Sequence, residues 1–457
     1  MNRIALEHPL YRAEQLREFD RRAIQGQGIP GYTLMTRAAT AALHALQARW
    51  PGAKRLRVVC GAGNNAGDGY VLARLARAAG LDAQVLWLRE PQELQGDART
   101  ACIDAAAAGV PLEPFTPAGL DVADVIVDAM LGIGLDRPLS GDWAAAVAAV
   151  NAADAPVLAL DIPSGLHADT GAVLGTAVRA DVTVSFIASK LGMFTGQGAD
   201  CAGLVCAANL DVPETVFADA APAAWRIDAA FLEAALPRRP RSSHKGDFGH
   251  VLVVGGAPGM SGAARLAAEA AARTGAGWVS VATHADHAGI LNIGRPELMC
   301  HAVEADPRRA LEPLLARATV VAIGPGLGRD AWGKALLAAV WDADVPLILD
   351  ADALNLLAQT PRRRDDWVLT PHPGEAARLL GITSAAVQAD RPGAVGALQA
   401  RFGGVAVLKG SGTLIADGKR VRLCAAGNPG MASGGMGDVL TGIIAGLLAQ
   451  GLALDVA

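Results

Sequence analysis

The sequence contains little cysteine and little charge, and each shortage argues against a class of protein. Only six cysteines occur among its 457 residues, and no two of them form a CxxC pair. Disulfide scaffolds and thiolate metal sites need more closely grouped cysteines, so we expect buried thiols in a reducing compartment. Charged residues make up 19% of the chain, the formal net charge is −5, and no long run of lysine or arginine occurs. This pattern does not predict binding to nucleic acid.

The sequence also lacks an apolar run of membrane length. Its most apolar stretch, VLTGIIAGLLAQGLAL, lies between Asp438 and Asp455 and is shorter than the ~18 residues that a transmembrane helix needs. A buried core helix explains this stretch better. The first residues, MNRIALEHPLYRAEQ, do not contain the unbroken apolar segment of a signal peptide. We therefore expect a cytoplasmic protein without a membrane partner.

Apolar residues are plentiful, at 52% of the chain, and their arrangement predicts an α/β protein with two domains. The length exceeds the ~250–300 residues at which a single core stops growing. Short apolar strand candidates alternate with alanine-rich helix candidates, which is typical of a parallel sheet with helices on both faces. The segment VPETVFADAAPAAW separates two such series whose later spacings differ, so we predict unlike domains at residues 1–222 and 223–457.

The first domain begins its strand series with a glycine-rich loop, GAGNNAGDGY, after the strand candidate LRVVC. A dinucleotide-binding fingerprint would place an acidic residue about 20 positions on, and Glu90 comes several positions late. By contrast, Asn65, Asp128 and Ser164 each follow a strand candidate, so they should meet at the carboxyl edge of the sheet. Their oxygen atoms suit a hard cation of low charge, although such residues also cap helices and turns.

Three motifs, GAGNNAGDGY, VDAMLGIGL and DIPSG, together with LREFDRRAIQGQGIPGYTLMTRAA, resemble the NAD(P)H-hydrate epimerases over residues 10–215. The resemblance implies a Rossmann-like domain that interconverts the R and S forms of the hydrated dinucleotides NADHX and NADPHX. It also implies a K⁺ ion bound by Asn65, Asp128 and Ser164. Ala66 departs from the family, which usually has glycine there. The substrate contacts implied are Asn64, Asn65, Ala66, Gly67, Asp68, Gly132, Ile133, Gly134, Leu135, Asp136, Arg137, Pro138 and Asp161.

The chemistry of epimerisation needs proton transfer and a pocket but no redox partner. A nicotinamide hydrated at C6 carries the hydroxyl and the ring nitrogen on one carbon, so the nitrogen assists loss of the hydroxyl. The hydroxyl can then return from either face. We predict Asp128 as the acid/base, with the ion holding the loop and the phosphate in place.

The second domain carries its own signature, NPGMASGGMGDVLTG, in which glycines and Asp438 precede the apolar helix. Backbone amides at such a helix start can form an anion hole, and a carboxylate there can accept a proton from a substrate hydroxyl. A tight turn with a helix cap is the alternative. In VLKGSGT, Lys409 and glycine amides can meet nucleotide phosphates, and TPHPGE presents His372.

Seven motifs in order, HKGDFGH, MSGAA, GPGLG, DADALN, TPHPGE, KGSGT and GGMGD, resemble the ADP/ATP-dependent NAD(P)H-hydrate dehydratases of the ribokinase-like superfamily. The resemblance covers residues 225–457 and implies a sheet with helices on both faces. It implies that Asp438 is catalytic and that ADP is the co-substrate, with Mg²⁺. The hydrate contacts implied are Ala263, Gly326, His372 and Asp438, and the nucleotide contacts are Lys409, Gly410, Ser411, Gly412, Thr413 and Gly437. The family usually continues for several helical turns beyond the point where this sequence ends, at LALDVA.

Together the resemblances imply a bifunctional repair enzyme. Phosphorylation of the C6 hydroxyl of the S form turns it into a leaving group, and elimination gives NAD(P)H, AMP and phosphate. We expect a homo-oligomer. The alternative is a ribokinase-like kinase of a small molecule fused to a non-catalytic nucleotide-binding module, which would release a stable phosphorylated product. The presence of Asn65, Asp128 and Ser164 argues against a non-catalytic module.

Overall fold

A computed structural model describes residues 7–304 and 306–457. The chain divides into two compact units. One comprises Pro9–Trp225, and the other comprises Arg226–Ala457 together with residues 7 and 8. Each unit has its own sheet and its own apolar core, and each is described separately below.

The first unit contains a seven-stranded sheet whose paired strands all run parallel. Its order is β4-β3-β2-β5-β6-β7-β8. A further strand, β1 Glu7–Leu10, belongs to the other sheet. The strands of the seven-stranded sheet are β2 Arg55–Cys60, β3 Asp82–Trp87, β4 Leu112–Pro114, β5 Val125–Ala129, β6 Val157–Leu160, β7 Val182–Phe186 and β8 Leu204–Ala208. The helices are α1 Ala13–Arg21, α2 Gly31–Arg49, α3 Asn64–Ala78, α4 Gly96–Ala107, α5 Gly141–Ala152 and α6 Gly198–Ala202.

The strand order of this unit fixes where a site can form. The chain runs outward from β2 through β3 to β4 and then returns to the other side of β2 at β5. The crevice between the carboxyl ends of β2 and β5 is therefore the switch point, where ligands bind in such sheets. Gly61 allows the loops after these two strands to approach, because a β-carbon there would overlap the carbonyl of Met130.

The second unit contains a mixed sheet of eleven strands in the order β1-β9-β18-β17-β16-β15-β14-β13-β10-β11-β12. The strands from β10 to β16 pair in parallel, whereas β16, β17 and β18 pair antiparallel. Its strands are β9 Ala224–Ile227, β10 His250–Val254, β11 Trp278–His284, β12 Met299–Val303, β13 Val320–Ile323, β14 Leu347–Leu349, β15 Trp367–Leu369, β16 Val405–Leu408, β17 Thr413–Ala416 and β18 Val421–Cys424. Its switch point lies between β10 and β13.

The helices of the second unit follow its strands. They are α7 Ala229–Ala235, α8 Ser261–Thr274, α9 Ala285–Ala288, α10 Pro307–Leu315, α11 Ala331–Val340, α12 Ala351–Gln359, α13 Pro373–Leu380, α14 Ser384–Ala389, α15 Arg391–Phe402 and α16 Met436–Ala449. The predicted core helix is confirmed, since Ile444, Ala445 and Leu448 of α16 lie in the apolar core of this unit. Across the described ranges, no helix is both long enough and apolar enough to cross a bilayer.

The α/β fold class predicted from the sequence is confirmed. The sequence did not predict the N-terminal strand β1 or the ion pair that it makes. Glu7, in β1, accepts from the buried Arg422 of β18, with a distance of 2.6 Å between Oε1 and Nε. Arg422 also donates to Asp455 at 3.0 Å. The first described residues are thus held in the second unit by a buried cation.

We expect Glu7→Gln to lower the free energy of unfolding of the second unit by about 1–3 kcal/mol, because Arg422 would lose a charged partner in a largely buried position. Chemical denaturation of the intact chain would measure this. Glu14→Gln, at an exposed position of α1, is the matched control. Equal unfolding midpoints for the two variants would contradict a stabilising role for Glu7.

Candidate active sites

Asp128, the fourth residue of β5, is fully buried and joins two loops of the first unit. Its Oδ1 accepts from the Met130 amide at 3.1 Å and from the Ser164 hydroxyl at 2.6 Å, and its Oδ2 accepts from the Ser164 amide at 2.8 Å. Burial raises the pKa of Asp128 to about 6, while the hydrogen bonds from Ser164 act in the opposite direction. Both oxygens of the carboxylate therefore accept hydrogen bonds from protein groups.

Asn65, in the first turn of α3, completes this group. Its side-chain amide donates to the Leu131 carbonyl at 3.0 Å, and the Leu131 amide donates to the Ser164 hydroxyl at 2.9 Å. Asn65 and Ser164 thus meet at Leu131, in the loop after β5, and Asp128 joins them through its hydrogen bonds with Ser164. The Asn65 Oδ1 atom is buried and has no hydrogen-bond partner. A buried acceptor without a donor is unfavourable unless something else, such as a cation, satisfies it.

Asp161 follows β6 and has a left-handed backbone, with φ at 67°. Such a conformation costs a non-glycine residue roughly 1–3 kcal/mol and persists where surrounding contacts enforce it. The Asp161 Oδ1 atom accepts from the Phe186 amide at 3.3 Å and from the Lys190 ammonium. Its Oδ2 atom lies 3.5 Å from the position that a β-carbon on Gly132 would occupy, and that position is 3.6 Å from the Asn65 β-carbon. Three predicted substrate residues therefore share this edge of the sheet.

The charge of Asp161 acts on two further carboxylates, Asp68 and Asp20. Burial raises the pKa of Asp68 well above its usual range, and the charges of Asp161 and Asp20 raise it further. Desolvation raises the pKa of Asp20, in α1, to about 6 although its side chain reaches solvent, and Asp161 contributes to that rise. Lys190 lowers both pKa values. Three carboxylates and one buried ammonium thus form a single charged group.

The remaining predicted substrate residues of this unit differ in placement. Ala66 is fully buried within the apolar core, so its methyl group does not lie on the open face of the loop. Ile133 accepts at its carbonyl from the Arg17 guanidinium at 3.1 Å, which ties the loop after β5 to α1. Residues 134–138 continue as a largely exposed loop.

In the second unit, Asp438 lies in the first turn of α16. Gly435 precedes the helix with φ at 89°, a backbone that favours glycine. Burial and the nearby charge of Asp350 raise the pKa of Asp438 to about 6, whereas Lys409 lowers it. A β-carbon on Gly437 would lie 3.3 Å from Lys409 Nζ and 3.6 Å from Asp350 Oδ2. The structure thus brings Lys409, Gly437 and Asp438 together.

Asp350, at the end of β14, orients Lys409. It is buried, and its Oδ1 accepts from Lys409 Nζ at 2.7 Å and from the Thr370 hydroxyl at 2.9 Å. Its Oδ2 accepts from the Thr441 hydroxyl of α16 at 2.9 Å. This carboxylate therefore links the ends of β14, β15 and β16 to the helix that carries Asp438.

His372 caps α13 and faces a buried acid. Its Nδ1 accepts from the Gly374 amide at 3.0 Å, and its own amide donates to Glu375 at 2.8 Å. Burial lowers the pKa of His372, which favours a neutral ring. Burial also raises the pKa of Glu375 to about 7, and Lys409 lies 3.9 Å from it. His372 thus stands next to the group around Lys409.

Ala263 and Gly326 lie side by side at the switch point of the second sheet. A β-carbon on Gly326 would be 3.2 Å from the Ala263 β-carbon and 2.9 Å from that of Met260. Gly326 has φ at 58°, so any larger residue there would meet both crowding and backbone strain. Ala263 belongs to α8, which packs against α16, the helix of Asp438.

The loop of residues 409–412 connects β16 to β17, with Thr413 as the first residue of β17. Arg391 of α15 is buried and donates to the carbonyls of Leu408 at 3.2 Å, Lys409 at 3.3 Å and Gly412 at 3.4 Å. Burial lowers the pKa of Arg391 to about 10. The Arg391 guanidinium therefore holds the backbone of the predicted nucleotide loop through three carbonyls.

Sequence reasoning missed Lys190, Asp20, Asp350 and Arg391. The signal available for Lys190 was a single charge in the otherwise apolar run SFIASKLGMF. Among the described residues, no group of three or more His, Cys, Asp and Glu side chains is arranged to hold a metal ion. The candidate ion site is of a different kind, because Asn65 and Ser164 are neutral.

Comparison with known proteins matches both units. A family model described as NAD(P)H-hydrate dehydratase matches residues 251–457, and one described as YjeF-related protein N-terminus matches residues 31–192. The bifunctional NAD(P)H-hydrate repair enzyme Nnr of Coxiella burnetii is 50% identical over 450 residues, which cover 97% of this chain and 91% of that protein. The corresponding enzyme of Escherichia coli K12 is 43% identical, with coverage of 99% and 87%.

A solved structure is similar to the second unit. It is the ADP/ATP-dependent NAD(P)H-hydrate dehydratase from Bacillus subtilis, co-crystallised with ATP and Mg²⁺. It is 32% identical, covers 48% of this chain and 79% of its own chain, and has a TM-score of 0.42.

Proposed function

The chain belongs to the family of bifunctional NAD(P)H-hydrate repair enzymes, and we propose that its two units divide the repair between two sites. The first unit epimerises the R and S forms of NADHX and NADPHX. The second dehydrates the S form at the expense of ADP, giving NAD(P)H, AMP and phosphate. The observation that carries this proposal is the grouping of Lys409, Gly437 and Asp438 at the start of α16. We assign residues 1–222 to the epimerase domain and 223–457 to the dehydratase domain.

In the dehydratase site, Asp438 accepts the proton of the C6 hydroxyl as the hydroxyl oxygen attacks the β-phosphorus of ADP and AMP leaves. Lys409 and the amides of residues 410–413 and Gly437 hold the phosphates, and Asp350 keeps the Lys409 ammonium in position. Loss of the C5 proton and of the phosphate from C6 then restores the dihydronicotinamide. His372, Ala263 and Gly326 hold the hydrate. Mg²⁺ enters with the nucleotide.

In the epimerase site, residues 64–68, 132–138 and Asp161 hold the hydrated nicotinamide nucleotide. A bound K⁺ would supply a fixed positive charge for the substrate phosphate. The residues present fit such an ion, because Asn65 Oδ1 is buried without a donor. The Asn65 side-chain amide and the Ser164 hydroxyl both contact the Leu131 carbonyl, and that hydroxyl is bonded to Asp128. The acid/base role of Asp128 stays a prediction. Its burial and its three protein donors suit a ligand that holds the ion site better than a group that exchanges protons with substrate.

A mixture of hydrate epimers supplied with ADP tests the proposed function. We expect dihydronicotinamide absorbance to return completely and in two phases, a fast phase for the accepted epimer and a slower one set by epimer exchange. Chromatography of the products should show AMP and free phosphate. A stable phosphorylated hydrate would instead indicate a kinase.

We expect K⁺ to bind at Asn65, Asp128 and Ser164 and to raise the unfolding temperature of the first unit relative to choline at equal ionic strength. Tl⁺, which replaces K⁺ and scatters anomalously, should appear in crystals next to Asn65 Oδ1. In Asn65→Leu, which removes this oxygen, both the stabilisation and the anomalous peak should be absent. A full response of Asn65→Leu to K⁺ would exclude this site.

The location and assembly of the enzyme complete the proposal. All six cysteines are free, as is usual for thiols in a reducing compartment, which supports a cytoplasmic location. The homo-oligomeric state stays a prediction, and sedimentation of the intact chain would check it.

A further inference from the structure

Lys190 is a buried lysine to which the proposed function assigns no role. It lies four residues after β7, and its side chain is 1% exposed. Its ammonium donates to Asp161, to the Ser185 hydroxyl at 2.9 Å and to the Phe186 carbonyl at 3.1 Å. These three acceptors match the three donors of an ammonium group. Each hydrogen of the ammonium group therefore has an acceptor within the protein.

Asp161 presents one oxygen to Lys190 and leaves the other toward the substrate loops. Oδ1 accepts from Lys190 and from the Phe186 amide, which fixes the plane of the carboxylate. Oδ2 lies 3.5 Å from the β-carbon position of Gly132, on the side of the predicted substrate loop. The left-handed backbone of Asp161 is what directs the side chain there. One carboxylate oxygen is held, and the second is available at the edge of the sheet.

The other charged groups around Asp161 are carboxylates. Asp68 from α3 and Asp20 from α1 both interact with it electrostatically, and Lys190 is the cation that acts on all three. Three nearby carboxylates cannot all be ionised without opposing charge. Among these three carboxylates, Lys190 makes direct contact only with Asp161, so its charge-assisted hydrogen bond is made to that residue.

Accordingly, we propose that Lys190 is a positioning residue for epimerisation, which holds one oxygen of Asp161 so that the other faces the substrate loop at Gly132. This inference rests on the proposed function of the first unit. In the exchange, the C6 hydroxyl takes up a proton from solvent and leaves as water, while the ring nitrogen supplies the electron pair for an N1=C6 double bond. Water then adds to C6 from the opposite face, and Asp161 accepts the proton that this water loses. That proton replaces the one used to release the first water, so the reaction is balanced without a redox partner.

The test uses Lys190→Met, Asp161→Asn and the double variant in the intact chain. Epimer exchange is followed by chromatography without ADP, and ADP-dependent dehydration of the accepted epimer reports on the second unit. We expect Lys190→Met to lower kcat for exchange by at least about 10²-fold, the usual lower bound for losing a general base, with little change in KM. Its unfolding temperature should also fall, because Asp161 would be left without its cation.

The double variant tests whether exchange needs the Lys190–Asp161 pair when the stability of the first unit is largely restored. Removing both charges should restore much of the unfolding temperature, because neither group is then left uncompensated, while exchange should stay at the level of Lys190→Met. If exchange returned together with stability, neither Lys190 nor Asp161 would take part in epimerisation and the inference would be wrong. Arg57→Met is the matched control, since Arg57 is another buried cation of this sheet, paired with Asp82 at 3.3 Å toward the other end of β2. It should retain exchange.

The same experiment distinguishes failure of the inference from failure of the proposed function. A wild-type chain that does not exchange the epimers would overturn the epimerase assignment itself. A wild-type chain that exchanges them, combined with Lys190→Met at the wild-type rate, would overturn only the role of Lys190. Dehydration of the accepted epimer should be the same in all variants.

Discussion

Asp438→Asn should lower ADP-dependent recovery of dihydronicotinamide by about 10²–10⁴-fold, the usual contribution of a general base, and leave epimer exchange at the wild-type rate. The amides at the start of α16 and the Lys409 ammonium would remain, so the nucleotide should still bind. Only the group that accepts the proton of the C6 hydroxyl would be lost. Unchanged dehydration in this variant would show that Asp438 is not the base.

The pH dependence of dehydration provides a second readout for Asp438. Its pKa is raised from 3.8 to about 6, and the base must be ionised to accept a proton. We therefore expect kcat/KM of the wild type to fall about tenfold per pH unit below that pKa. Glu375, with a pKa near 7, also titrates in this range, so Glu375→Gln identifies its share of the profile. The acid limb that belongs to Asp438 should be absent from the residual activity of Asp438→Asn.

Stability distinguishes loss of the base from loss of the fold. A raised pKa in the folded state means that folding disfavours the charged form of Asp438. This penalty is present above about pH 6 and is relieved as the pH falls toward 3.8. Asp438→Asn removes the charge, so its unfolding temperature at pH 7 should not fall below that of the wild type. Asp330→Asn, at the N-cap of α11, is the matched control for the substitution and should retain dehydration.

The sequence was sufficient to predict the parallel architecture and the edge of each sheet at which polar residues meet. The rule that ligands lie at the carboxyl ends of parallel strands is local, because it needs only a strand and the residues directly after it. Asn65, Asp128 and Ser164 each satisfy it, and in the structure Asn65 and Ser164 contact Leu131 while Asp128 is bonded to Ser164. The core helix α16 was predictable for a similar reason, since one continuous apolar stretch specifies it.

The residues that sequence reasoning missed are those whose role depends on a distant partner. Lys190 pairs with Asp161 from 29 positions away, and Asp350 pairs with Lys409 from 59 positions away. No periodicity in the chain predicts such contacts, because they arise only when strands of one sheet end at the same edge. Glu7 is the extreme case, since it meets Arg422 across 415 positions.

The sequence also does not predict a turn that depends on a single backbone angle. The segment PVLALDI has the composition of a single strand, but β6 ends at Leu160, where Asp161 adopts a left-handed backbone. That turn directs the Asp161 carboxylate toward Lys190 and Gly132. Hydrophobic pattern cannot reveal such a turn, since nothing in a run of apolar residues indicates which aspartate takes a positive φ.

Asp128→Asn should reduce epimer exchange by at least about 10²-fold and leave dehydration of the accepted epimer at its normal rate. The substitution removes the only charge among Asn65, Asp128 and Ser164 and puts an amide donor against the donors of Met130 or Ser164. The first unit should therefore lose about 1–3 kcal/mol of stability, the cost of a buried donor or acceptor left unsatisfied. Asp181→Asn, at a carboxylate that accepts from the Val157 amide at 2.8 Å at the opposite end of the sheet, is the control and should retain exchange.

Potassium then separates the two roles considered for Asp128. If this residue holds the ion, the asparagine still offers one oxygen, and K⁺ well above the wild-type requirement should partly restore exchange. If it were the acid/base, saturating K⁺ would restore nothing, because the missing group would be the one that moves the proton. We expect partial restoration, because the carboxylate is buried and bonded on both oxygens while the free oxygen of Asp161 lies on the side of the substrate loop. Exchange that stayed low at every K⁺ concentration, in a variant with a folded first unit, would return the acid/base role to Asp128.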